Sequence, residues 1–140
     1  MRPLFILGLL LLSACGSKKS PVEYGKTTRA DIIALKNGNP RTETSVPVSN
    51  GSVMIYQDET YQLKGDVVTN LIRKPKGDEA NLIFWKHRFK DCQTQEKVLP
   101  HPKDAHTPAD IQLSCDKLGE AVVYMMGSDV ISRIMGYEAK

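Results

Sequence analysis

Along this chain the spacing of apolar positions changes period several times. Positions 4–12 are apolar almost without a break. From position 29 the pattern becomes helical: Ala30, Ile32, Ile33 and Leu35 form a narrow apolar stripe. Thr28 stands three positions before Asp31, a capping-box spacing with Asp in place of Glu. Asn37-Gly38 is a stop signal, and Pro40 forbids continuation. The spacing predicts a helix over 29–37, too short to be stable without packing on something. Positions 41–51 are polar and read as a loop. The period then drops to two, with a strand over 52–56. Segments 60–64 and 67–72 flank Gly65-Asp66 and read as a hairpin with a two-residue type II′ turn. That register puts Tyr61 and Leu63 on the face of Val68. Lys74-Pro75-Lys76-Gly77-Asp78 closes the unit.

In the second half, 82–90 alternates: Ile83, Trp85, His87 and Phe89 against Lys86, Arg88 and Lys90. This is the pattern of a half-buried strand with one charged face. Segment 93–109 carries Pro100, Pro102 and Pro108 and reads as a long loop. Positions 110–117 alternate Ile111, Leu113 and Cys115 with Gln112, Ser114 and Asp116, another strand. Segments 120–126 and 129–137 form a second hairpin around Gly127-Ser128. Ala121, Val123 and Met125 are expected to share a face with Val130 and Ile134. Segment 66–72 echoes 129–135, a similarity that any two hairpins of an antiparallel sheet can show. The expectation is an α+β domain: one short helix, with at most a second minor one, on an antiparallel sheet of five to six strands.

The start of the chain changes this picture. Arg2 is the only charge before the apolar run, which ends in Leu12-Ser13-Ala14-Cys15. A charged start, a short apolar core and small residues at the end make a secretory signal. The run is too short to span a bilayer as a helix. Its ending resembles the lipobox of bacterial lipoproteins, with Cys15 in the invariant position. That resemblance implies cleavage before Cys15, diacylation of its thiol and acylation of the new amine. Several acyl chains suffice for stable anchoring, at about 0.8 kcal/mol per buried methylene. Gly16 rather than Asp follows the cysteine, which by resemblance to enterobacterial sorting favours the outer over the inner membrane. The organisation expected is a signal peptide over 1–14, a lipidated flexible tether over 15–24 and one domain over 25–140. Removing the first 14 of 140 residues takes Arg2 with it and lowers the net charge from +3 to +2. So near-neutral a balance gives no reason to invoke nucleic acid. Aromatics at 6% leave little for a stacking platform.

With Cys15 lipidated, Cys92 and Cys115 remain, and an oxidising periplasm favours a disulfide between them. Two separate thiols, or a pair used for metal, are the alternatives. No CxxC spacing is present. Cys92 has the parity of the charged face of its strand, so a bond to Cys115 requires that strand to end or bulge near Asp91. His101 and His106 have helical ligand spacing, but Pro102 and Pro108 bracket them, so no metal site is expected. His87 is expected in or beside the core near Trp85. No nucleophile elbow, separated carboxylate pair or phosphate-cradling loop occurs, and neither catalysis, a cofactor nor a small-molecule substrate is expected. What remains is binding. Candidate partner-binding residues are Lys86, Arg88 and Lys90 on the charged strand face, and His101 and His106 in the loop.

Residues 28–40, Thr-Arg-Ala-Asp-Ile-Ile-Ala-Leu-Lys-Asn-Gly-Asn-Pro, are similar to the helix-then-Gly-x-Pro segment of the SmpA/OmlA (BamE-like) outer-membrane lipoproteins. Met54-Ile55-Tyr56 and the hairpin over 61–72 take the places of the strands that follow there. The resemblance covers 24–72, so that 25–75 is the BamE-like part and 76–140 a β-rich extension. It implies two helices on a three-stranded antiparallel sheet and a non-enzymatic role beside the machine that inserts β-barrels. The function expected is a membrane-anchored, periplasm-facing binding or scaffolding module in envelope assembly, with an envelope protein as partner. The alternatives are a lipid-anchored inhibitor of an envelope-attacking hydrolase, inserting the loop over 93–109, and a small hydrolase using His87 or His101.

Overall fold

The computed structural model describes residues 21–100 and 106–140. Cys15 and His101 lie outside them. The elements in chain order are α1 (Arg29–Lys36), β1 (Thr42–Val46), β2 (Gly51–Ile55), β3 (Glu59–Lys64), β4 (Val67–Arg73), α2 (Leu82–Arg88), β5 (Gln95–Val98), β6 (Asp110–Cys115), β7 (Glu120–Met125) and β8 (Ile131–Tyr137). Helix α1 forms as its sequence predicts. Thr28 accepts from the Asp31 N–H while Asp31 accepts from the Thr28 N–H, a complete capping box. Asn37 ends the helix in the left-handed conformation at φ 55°. The hairpins turning at Gly65 and Gly127, both at positive φ, also form.

The sheet is antiparallel throughout but has eight strands, in the order β1-β2-β3-β4-β8-β7-β6-β5. The expected five to six omitted β1, inside the predicted loop over 41–51, and β5, inside the one over 93–109. Both are edge strands whose residues are all exposed. Main-chain bonds to a single neighbour hold them, so no apolar alternation marks them.

The predicted strand over 82–90 is instead α2 followed by a turn. Its buried residues are Leu82, Trp85 and Phe89, a helical spacing, and Asn81 caps it by accepting from the Ile83 N–H. His87 is accordingly exposed rather than beside the core. The turn after α2 brings Cys92 to Cys115, and the two form a disulfide with Cα atoms 5.7 Å apart. The parity conflict posed by a strand does not arise. The second hairpin also differs from expectation: Val122, Tyr124, Ile131 and Ile134 join the cluster under α2, while Ala121 and Val123 point to the other face.

Each half of the chain runs one helix and then four strands, and the strand order reads the same from both edges. The halves meet at β4 and β8, with Leu71 opposite Gly136, Ile72 opposite Met135 and Arg73 opposite Ile134. A pseudo-twofold axis therefore passes through the Ile72–Met135 pair. Detailed contacts repeat about it. The N-cap residues Thr28 and Asn81 bridge Val67 and Val130, and the N–H groups of Arg29 and Leu82 donate to the carbonyls of Asp66 and Asp129. Thr69 and Ser132 each donate a hydroxyl across a bulge, to the Gln62 and Val123 carbonyls. The echo between 66–72 and 129–135 thus marks a repeated unit, not a generic hairpin likeness. Over residues 25–75 the chain has one helix and four strands, where the resemblance to the SmpA/OmlA lipoproteins implies two and three.

Paired positions on adjacent strands share a face, so both helices lie on one side of the sheet. Under α1 the core is Ile32, Met54, Tyr61, Leu63, Val68 and Leu71, closed by Val22. Under α2 it is Trp85, Phe89, Leu113, Val122 and their neighbours, with the Trp85 Nε1 donating to the Glu79 carbonyl at 2.8 Å. The far end of each helix is tied to the end of the second strand after a different fashion. In the first half the Tyr56 hydroxyl donates to the Gly38 carbonyl at 3.0 Å; in the second the disulfide makes the link. Replacing Cys92 and Cys115 together by Ser should lower unfolding free energy by about 3 kcal/mol, from the 23-residue separation they close. Tyr56→Phe should lose about 1 kcal/mol. Urea denaturation midpoints measure both, and an unchanged midpoint in the double variant would contradict the structural role of the bond.

Candidate interaction surface

The sequence-predicted cation row does not exist as a strand face. Lys86 on α2 and Lys90 in the turn that follows it are both exposed and line one shallow pocket. Arg88 is turned away to Glu120, with Nε to Oε2 at 2.7 Å and Nη2 to Oε1 at 2.8 Å. The hydrogen bonds it donates to Glu120 chiefly cause the raised pKa of that guanidinium, against desolvation. His106 is exposed and far along the chain from α2. The structure therefore brings only Lys86 and Lys90 together from the predicted set, and it pairs Cys92 with Cys115.

Two features were not legible as sites. The first is a groove of ≈ 690 Å³ on the helical side, lined by Pro21, Lys36, Glu59, Tyr61, Arg73 and Glu79 among others. Its charges are mutually engaged. Arg73 forms a forked pair with Glu79 at 2.6 and 2.8 Å, and Lys36 pairs with Glu59, which also accepts from the Tyr61 hydroxyl. Burial opposes ionisation of Glu59, yet bonds from Lys36 and Tyr61 outweigh it and hold the carboxyl below its ordinary range. Burial, then the Glu59 bond, pushes the Tyr61 hydroxyl far up. Such a closed network is stable without a ligand. Beside it Tyr24 lies over Gly136, where a Cβ would come within 1.9 Å of the tyrosine Oη. Only glycine leaves room for that ring.

The second feature is the face of the sheet turned away from α1 and α2, which carries no helix among the described residues. By register it presents Thr44, Val53, Ile55, Gln62, Asn70, Ile72, Met135 and Gln112, with Tyr137 bonded to Asp116 at 2.9 Å. Burial and that bond push the Tyr137 hydroxyl up to about 12, so it stays a donor. Ala121 and Val123 are fully buried here, with no helix above them among the described residues, and are flanked in register by Met135, Gln112 and Arg133. The charged side chains on the face are Lys64, Lys97 and Arg133, all exposed, with Asp110 at one end of β6 and Asp116, bonded to Tyr137, just past the other. Among the described residues no ion pair engages those three cations. Eight strands at their ordinary spacing make the face roughly 600 Å², a large part of the about 800 Å² that one side of a stable interface buries.

Comparison with known proteins adds no relative: no family model, curated protein or solved structure matches this chain.

The Arg73–Glu79 pair makes stability pH-dependent. The bond from Arg73 is the largest cause holding the Glu79 carboxyl below its ordinary pKa. An unfolded chain therefore takes up that proton first as pH falls. The pair stabilises fully above the unfolded carboxylate pKa and loses its effect as pH drops through the folded one, beginning below about pH 5. Glu79→Gln should shallow the acid limb of a Tm-against-pH profile, with little change in its shape above neutrality.

Proposed function

We propose that this chain is a non-enzymatic binding module of a bacterial cell envelope, held to a membrane by acylated Cys15 and engaging an acidic protein surface through the helix-free face of its sheet. One observation carries the reading: Lys64, Lys97 and Arg133 stand exposed and, among the described residues, without ion pairs on a broad antiparallel face that has Asp110 and Asp116 at the two ends of β6 and otherwise small, amide, hydroxyl and half-exposed apolar side chains. Cations placed this way steer and orient an acidic partner, and the mixed apolar surface between them supplies contact area. The lipobox-like run ending at Cys15 supports the address, and the likeness of residues 28–40 to the SmpA/OmlA lipoproteins makes β-barrel assembly the candidate setting. An inhibitory loop over 93–109 is less supported, because β5 occupies part of it.

Two measurements test this. Intact-mass analysis of the native protein should show cleavage before Cys15 and the added mass of acyl chains; an unmodified amino terminus would overturn the address. Pull-down from detergent-solubilised envelopes should recover an acidic protein, and Lys64→Glu with Arg133→Glu should weaken that recovery by roughly tenfold. Equal recovery with the charge-reversed protein would remove the sheet face as the contact.

A further inference from the structure

An apolar cluster is exposed at one end of the molecule, and at the other end its counterpart is polar except for Val67, which corresponds to Val130. Ile83 is 67% exposed, Val130 65%, Met126 51% and Phe84 38%. They belong to one tip: Asn81 bridges Val130, the Leu82 N–H donates to the Asp129 carbonyl, and Met126 opens the turn that leads there. The pseudo-twofold supplies an internal control. At the second and third positions of α1 stand Ala30 and Asp31, where α2 has Ile83 and Phe84. The turn between β3 and β4 carries Gly65 and Asp66, with Lys64 just before it. The scaffold therefore folds with small or polar residues at the places of Ile83, Phe84 and Met126, and only Val130 has an apolar equivalent, Val67; the added apolar set answers to something outside the fold. The exposed stripe of α2 continues from Ile83 to Lys86, His87 and Lys90; Asp129 is the carboxylate of the turn.

We propose that this tip rests in the headgroup region of a lipid bilayer. Where the chain enters the fold identifies the occupant. Pro21 shares its groove with Lys76, Asp78 and Glu79, and the 3₁₀ turn Gly77–Ala80 runs directly into Asn81. The amino-terminal segment thus joins the fold at the end that bears Ile83 and Val130, not at the end that bears Asp66. Five residues lie between Cys15 and Pro21, and the six Cα steps reach at most about 20 Å. An acyl anchor on Cys15 holds the apolar tip against the membrane. Apolar side chains flanked by lysines, whose stems lie along the interface while their ammonium groups stay in water, are what such a surface takes up. The strands then stand end-on to the bilayer, and the helix-free face is open sideways. The inference rests on the anchored reading above.

The test reconstitutes the native acylated protein in vesicles of phosphatidylethanolamine and phosphatidylglycerol. An environment-sensitive thiol dye is placed at Met126→Cys or, in the opposite turn, at Asp66→Cys. The 126 dye should shift to the blue and lose most of its emission to shallow nitroxide lipids, while the 66 dye should report water. If the protein floats with the vesicles but both dyes report water, the tip inference falls and the anchor stands. A protein that does not float removes both. Shielding of the 126 dye in whole envelopes but not in pure lipid assigns the tip to a protein and overturns the inference.

Discussion

Backbone pairing from Asn70–Tyr137 to Arg73–Ile134 makes two four-stranded halves one sheet. A unit of this size alone buries too little apolar surface to be more than marginally stable, and it would leave β4 or β8 as an open edge ready to pair with a foreign strand. Joined antiparallel, each covers the other's edge. The join also fixes the placement of the helices. Facing positions of an antiparallel pair point the same way, so Leu71, in the core under α1, and Ile134, in the core under α2, commit both helices to one side. The bare opposite face follows from that pairing rather than from any local sequence.

The two halves meet the same demands with different chemistry. Each helix needs its last turn fixed to the sheet. Lys36 does this through Glu59, and Arg88 through Glu120, the first residue of β7 as Glu59 is of β3. Each helix end also needs a tie to the second strand, supplied by a hydroxyl bond on one side and a disulfide on the other. At the seam the symmetry breaks for a steric reason. Arg73 and Gly136 occupy corresponding positions; the arginine reaches Glu79, and the glycine's missing side chain admits Tyr24. Burial chiefly raises the Tyr24 hydroxyl's pKa, with Glu120 adding to it and Arg73 opposing, which places the ring between the two halves.

How much of this could be read beforehand depends on whether an element's periodicity met a competing pattern. Helix α1 was legible because its cap residues and its stop signal agreed with its stripe. So were β2 to β4 and β6 to β8, each with apolar positions on a buried face. Helix α2 was not, because Trp85, His87 and Phe89 alternate with Lys86, Arg88 and Lys90, which satisfies a period of two while Leu82, Trp85 and Phe89 satisfy one of 3.6. The signal that distinguishes them is Asn81 as a cap before Leu82, Trp85 and Phe89 at helical spacing. Edge strands β1 and β5 bury nothing and so write nothing into the hydrophobic pattern. The candidate surface was hidden for a related reason: Lys64, Lys97 and Arg133 are distant in sequence, and only the strand order places them on one face.

A repeated scaffold separates what folding requires from what it does not. Residues that recur about the axis, such as Thr69 with Ser132 or Glu59 with Glu120, are accounted for by the bulges and helix ties they make. By register, the positions corresponding to Lys64, Lys97 and Arg133 are Met125, Thr44 and Asn70, none of them charged. The same backbone thus closes with neutral side chains at each of these places. Among the described residues neither an ion pair nor a repeated contact uses the three cations, whose exposed ammonium and guanidinium groups add repulsion along the sheet. Their cost is small, but it is uncompensated within the described fold, and a negatively charged surface laid on that face is the arrangement in which it is offset.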